Sequence, residues 1–299
     1  MALTFDKRLL PVKLSLPMVV EPIPWKLVDG VSEDNINRLD QQPFNSIIRG
    51  GYLRATSRDI MDGTKLLSIK HSNNYDIRFN NLEQAKKQCA VINKLQAKRF
   101  KINKPWLDTL EKDSNLLVEQ GLLIDKKLQY LSYNEASEIL RVCYMENKTI
   151  QKSFSYSDLL KRVICNIHKC KYDTFIIDLA RALSGLSLYF PVYLDFRGRN
   201  YRAGLGNFHD RDLSRSLLHF DGYSGNMDDV TDIICNATLF HRKKYTSYNA
   251  KDLVKDQMSF CDKEKWSNFH NNPEDIYKDA RYAKNPFQYL ANMTILYNG

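Results

Sequence analysis

The chain has 299 residues, 43% of them hydrophobic and 26% charged, enough for one large or two ordinary domains with a real core. A formal net charge of +9 favours a polyanionic partner, nucleic acid or an acidic membrane surface, and is equally met by a merely basic soluble protein. No run of ~18 apolar residues is present, so no helical membrane span is expected.

Six cysteines stand at positions 89, 143, 165, 170, 235 and 261 without a C-x-x-C pair, which argues against a zinc ribbon. Cys165, His168 and Cys170 lie close together, but no second half-site accompanies them. They read as ordinary free thiols of a reducing compartment. Residues 1–16 lack an apolar h-region and contain Asp6 and Pro11, so no secretory signal is expected.

In chain order, residues 11–54 are punctuated by Pro17, Pro22, Pro24 and Gly50-Gly51, and Pro22-Ile23-Pro24-Trp25 should be extended. Helical periodicity begins near Asn81, with Ala85, Cys89, Ile92, Leu95 and Ala97 on one stripe. Pro105 starts a second helical stretch through Trp106, Leu107 and Leu110, then Leu116, Leu117 and Val118. Residues 134–147 and 156–169 read as amphipathic helices, the second capped within Tyr156-Ser157-Asp158. A separate helix is expected over 172–187, ended by Pro191. A short buried strand over Tyr189–Leu194 leads into Asp195-Phe196-Arg197-Gly198-Arg199, with a return strand from Tyr201 to Leu205. Helices are expected over 226–241, 250–262, 272–282 and 286–297.

The segment from Asp195 to Arg199 carries the most specific chemistry. Its glycine permits a tight turn and close backbone approach, and its arginines offer planar forks for phosphate oxygens. Read without context it is equally a charged β-turn with an internal Asp–Arg pair. A D-x-x-G-R pentapeptide arises by chance in roughly one chain in twenty of this length, so it needs companions.

Companions are present. Tyr189-Phe190-Pro191 precedes the turn; Tyr201, Asn207, Asp212 and Ser214-Arg215-Ser216-Leu217-Leu218 follow it. Upstream stand Pro17-Met18, Pro22-Ile23-Pro24-Trp25 and Gly50-Gly51-Tyr52-Leu53, then Asn93, Gln96, Phe100-Lys101-Ile102-Asn103 and Leu107. Pro286-Phe287-Gln288-Tyr289-Leu290-Ala291 closes the series. In order and direction these four blocks resemble single-subunit, phage-type DNA-directed RNA polymerases of phage, mitochondrial and linear-plasmid origin. Glu21 stands where the family has a proline, Arg215 where it has a lysine, and the interval from Trp25 to Gly50 is longer than usual.

The resemblance implies a mainly α (α+β) fold. Residues 1–80 would belong to the N-terminal domain, 81–187 to its helical end and thumb-like helices, and 188–299 to the D-x-x-G-R block and the start of a palm. It implies that Arg197, Arg199, Tyr201 and Arg215 contact nucleic acid, with Asp195 and Gly198 organising the turn. DNA template and nascent RNA would be the partners, NTPs the substrates of the intact enzyme, and a transcription factor a further partner; no membrane is implied. Two palm aspartates would hold Mg²⁺ in the intact enzyme. Those motifs lie downstream of the Pro286 block in the family, so this chain is expected to be an internal piece, to bind no metal itself and to be inactive alone. Asp221, Asp228 and Asp229 are read as surface and helix-start residues, not ligands. A mitochondrial location is expected, with phage as the alternative source. A non-catalytic basic nucleic-acid-binding protein is the competing reading.

Overall fold

The computed structural model describes residues 16–27, 48–52, 67–68, 82–195, 199–222, 234, 237–238, 240–242 and 273–298. It is mainly helical with a few small strand sets, as expected for an α+β chain. The chain divides into two compact units, each discontinuous in sequence: residues 1–102 with 185–223, and 103–184 with 224–299.

In the first unit, β1 (Ile23–Leu27) pairs antiparallel with β2 (Ile48–Gly51). The two-residue β3 (Leu67–Ser68) runs parallel to β5 (Val192–Asp195), which pairs antiparallel with β6 (Asn200–Arg202). A further antiparallel pair joins β4 (Phe100–Ile102) to β7 (Leu218–Phe220). Helix α1 (Leu82–Gln96) supports these strands. Its stripe of Ala85, Cys89 and Ile92 is buried against Trp25, Val192 and Leu194, so apolar spacing of three and four residues becomes the unit's core. Burial holds the Cys89 thiol above its ordinary pKa.

Trp25 is 1% exposed. The backbone of Gly50 lies so close to it that a Cβ there would fall 2.6 Å from the Trp25 Cα. Glycine is therefore required where β2 crosses the indole.

The second unit is helical. α2 (Lys104–Lys112) begins where the Asn103 side chain accepts from the Trp106 amide at 3.4 Å, with Pro105 in the first turn. α3 (Ser114–Glu119) and a 3-10 turn at Lys126–Tyr130 follow. α4 (Tyr133–Glu146) starts with a capping box between Ser132 and Glu135, whose carboxylate is held below its ordinary pKa by those bonds to Ser132. After α5 (Lys148–Ser153), helix α6 runs unbroken over Tyr156–Ala182.

α6 corrects the sequence reading twice. The two expected helices are one, because Cys170 and Asp173 are buried on the same face as Ile167, Ile176 and Ile177 and carry the packing across the apparent gap. Its cap is Ser155, whose side chain accepts from the Asp158 amide at 3.2 Å, one residue before the stretch expected to supply it. The helix stops at Ala182, short of Gly185 with φ +84°, well before Pro191.

α8 (Pro273–Ala280) and α9 (Pro286–Asn298) complete this unit. Phe287, Tyr289, Leu290 and Met293 of α9 are buried, and α9 packs on α2 and α8. Tyr277 donates to Asp113 at 2.6 Å and Tyr289 to Asp279 at 2.9 Å. Burial, reinforced by those carboxylates, raises both phenols well above their ordinary pKa. Residues 226–233 and 250–262, expected as helix, lie outside the described residues.

Candidate nucleic-acid interface

The candidate interface is built on the β5–β6 hairpin. Val192, Tyr193 and Leu194 pair with Arg202, Tyr201 and Asn200 in register. Because side chains alternate along a strand, Val192 and Leu194 point to the core and Tyr193 and Tyr201 share the opposite face. Their rings stack at 5.9 Å with planes 25° apart. The ring of His209 lies 5.2 Å from that of Tyr201, making a partly open row of three flat rings.

Asp195 ends β5 in register with Ser68. Arg197 and Gly198 lie outside the described residues. Arg199 is exposed just before β6, and Tyr201 is half-buried. Arg215, also half-buried, stands in α7 (Asp212–Ser216) and donates its Nε–H to the Asp210 carbonyl at 2.9 Å. That bond fixes the guanidinium plane and leaves its terminal nitrogens without a protein partner among the described residues.

The loop joining hairpin to helix is tied by its own polar side chains. Asn207 donates to the Arg202 carbonyl at 3.0 Å and to the Gly204 carbonyl, and accepts from the His209 amide at 2.6 Å. Asp210 accepts from the Gly206 amide at 3.3 Å and from the Ser214 hydroxyl at 3.1 Å. Such Asx-type bonds replace the ladder a strand would have supplied. They set His209 beside Tyr201 and lead into α7, which carries Arg215 in its last turn.

Arg202 points the other way. Its guanidinium lies 4.8 Å from the Phe100 ring centroid and donates to the Leu95 carbonyl at 3.2 Å. Burial pushes its pKa down to about 10. His209 is held below the ordinary imidazole value, first by partial burial, then by the charges of Arg202 and Arg215. Both residues escape sequence reading, as does Tyr193: cross-strand register places Tyr193 and Arg202, and the tied loop places His209.

Two residues of α1 bind β1, and one of them, Gln96, also reaches the hairpin. Asn93 accepts from the Trp25 amide at 2.7 Å and donates to the Trp25 carbonyl at 2.9 Å. Gln96 donates to the Ile23 carbonyl at 3.0 Å and accepts from the Val192 amide at 3.4 Å. Three separated sequence blocks thereby meet at β5.

No family model matches the chain. The chain is 32% identical over 302 residues to a Zea mays protein named "Probable DNA-directed RNA polymerase". This is a relationship by sequence to an RNA polymerase. The match takes in 96% of the chain, far more than the D-x-x-G-R block, and 27% of the maize protein. The chain thus spans about a quarter of the length of that polymerase relative.

Among the described residues, no three His, Cys, Asp or Glu side chains gather as a group that could hold a metal ion. No chemical step through a metal is assigned to these residues. Asp221 instead pairs with Lys101 at 2.8 Å and accepts from Ser187 at 2.7 Å; these two bonds, Lys101 foremost, hold its pKa below the usual carboxylate value. Asp228 and Asp229 lie outside the described residues. Cys165 is exposed, and buried Cys170 donates to the Asp125 carbonyl at 3.3 Å. His168 bonds the Tyr133 hydroxyl. No described helix is long and apolar enough to cross a membrane.

Proposed function

We propose that this chain is the template-handling part of a phage-type, single-subunit DNA-directed RNA polymerase. The observation that carries the reading is the 32% identity to the maize polymerase across 96% of the chain. The hairpin supports it chemically: an aromatic row flanked by Arg199 and Arg215 suits a strand whose bases stack and whose phosphates need forks. In this reading Arg199, Arg215 and Arg197 bind backbone phosphate, Tyr201 bears a base, and Asp195 and Gly198 shape the turn.

The proposal extends to the whole enzyme. Its Mg²⁺ ions would be held by palm aspartates and would serve to activate the attacking 3′-hydroxyl and support the leaving pyrophosphate. The chain's own residues orient the template, and nascent RNA, NTPs and a transcription factor are partners of the whole. Synthesis in a mitochondrion, from organellar or linear-plasmid DNA, belongs to the same proposal, with a phage as the alternative source.

The test is a primed DNA template incubated with the purified 299-residue chain, Mg²⁺ and NTPs including labelled UTP. Salt-dependent template binding with no incorporation of label is expected. Incorporation would overturn the assignment of catalysis to residues outside the chain, and absence of binding would overturn the template role.

A further inference from the structure

The β4–β7 pair carries a second aromatic and basic surface that the D-x-x-G-R reading does not use. Phe100 and Phe220 are directly paired across the strands. Phe100 is fully buried, yet Phe220 is 58% exposed. The Phe220 ring lies 5.0 Å from Phe100 and 5.8 Å from Phe208, tilted by 36° and 33°. It is the outer member of a packed trio and presents an open face.

Cations flank that face in fixed positions. The Asp221 amide donates to the Arg99 carbonyl at 3.0 Å, extending the strand pair. The Asp221 carboxylate, 9% exposed, binds Lys101 at 2.8 Å and lies 4.0 Å from Arg99 Nε, while both cationic side chains remain about half exposed. Two cations thus share one nearly buried carboxylate, a local excess of positive charge beside an exposed ring. Open aromatic faces beside ordered cations are the arrangement that holds a single strand, base on ring and phosphate on cation.

The surface is continuous with the hairpin. Phe208 packs on Phe100 and Phe220, and the next residue, His209, packs on Tyr201. Adjacent residues of one tied loop therefore face the two aromatic groups.

We infer that Phe220 and Arg99 extend the Tyr201 site into a track for one longer stretch of single-stranded DNA, the template strand. This rests on the reading of Arg199, Tyr201 and Arg215 as strand contacts. The occupant is DNA because the track continues the template site and its charge complements a polyanion.

The experiment compares binding of single-stranded DNA of about 4 and about 10 nucleotides to the whole chain, lengths that bracket a short and an extended strand site. Wild type should gain affinity on lengthening. Phe220→Ala should lose about fivefold or more on the longer strand, the low end of one base–aromatic stack, and flatten that gain. Arg99→Ala should lower the salt slope on the longer strand by about one phosphate contact. Phe220→Trp should keep the gain, which separates loss of stacking from misfolding. A Phe220→Ala protein that gains as much as wild type on lengthening overturns the track while leaving the hairpin site standing. A wild type that binds neither strand overturns both. Tighter binding of RNA of the same sequence overturns the assignment to the template.

Discussion

Asn93 on α1 makes both hydrogen bonds to the backbone of Trp25 on β1, accepting from its amide at 2.7 Å and donating to its carbonyl at 2.9 Å. A side-chain amide here substitutes for a neighbouring strand, and it joins two sequence blocks 68 residues apart. Asn93→Ala should destabilise the protein by about 1–3 kcal/mol, because a buried backbone pair loses its partner. Urea unfolding checks this. Asn93→Asp, which keeps the acceptor but removes the donor, should fall between the two.

Gly50 and Gly121 should respond differently to alanine. A Cβ on Gly50 would meet the Trp25 backbone at 2.6 and 2.7 Å, and backbone cannot swing aside. Gly50→Ala should cost about 2–3 kcal/mol through overpacking. Gly121 has open space around it but φ +72°, so Gly121→Ala should cost only about 1 kcal/mol of left-handed strain. Thermal melts of the two variants give the ordering.

His209 sets a pH dependence. Its pKa is lower folded than unfolded, through partial burial and the nearby Arg202 and Arg215. Below the unfolded value of about 6.5 the unfolded chain binds more protons, so this group's contribution to stability falls as pH drops through that value towards the folded one. Above pH 7 the contribution is constant. His209→Gln should therefore lose less stability than wild type between pH 7 and pH 5, measured by denaturant midpoints across that range.

The sequence made some of this legible and hid the rest for physical reasons. The α1 stripe from Ala85 to Leu95 and the β5–β6 return were readable because local spacing decides which side chains are buried; Ala97, expected on the stripe, lies past the helix end and is exposed. Local pattern splits α6 into two helices at Cys170-Lys171, although Cys170 sits on the buried face and the helix runs through. β4 is three residues long and its partner β7 begins 116 positions after Ile102, so no local pattern announces it. At the site, Arg199, Tyr201 and Arg215 came from motif positions. Tyr193, Arg202 and His209 came only from register and loop closure, which depend on bonds made by Asn207 and Asp210.

The central claim is that the hairpin and α7 grip a phosphate backbone, and fluorescence anisotropy of a labelled primed DNA template across a salt series tests it most directly. The Arg199→Ala, Arg215→Ala double variant should bind more weakly at every salt concentration. Its plot of log affinity against log salt should be shallower by about two phosphate contacts. Superimposable wild-type and double-variant curves, from proteins with equal melting temperatures, would contradict the account.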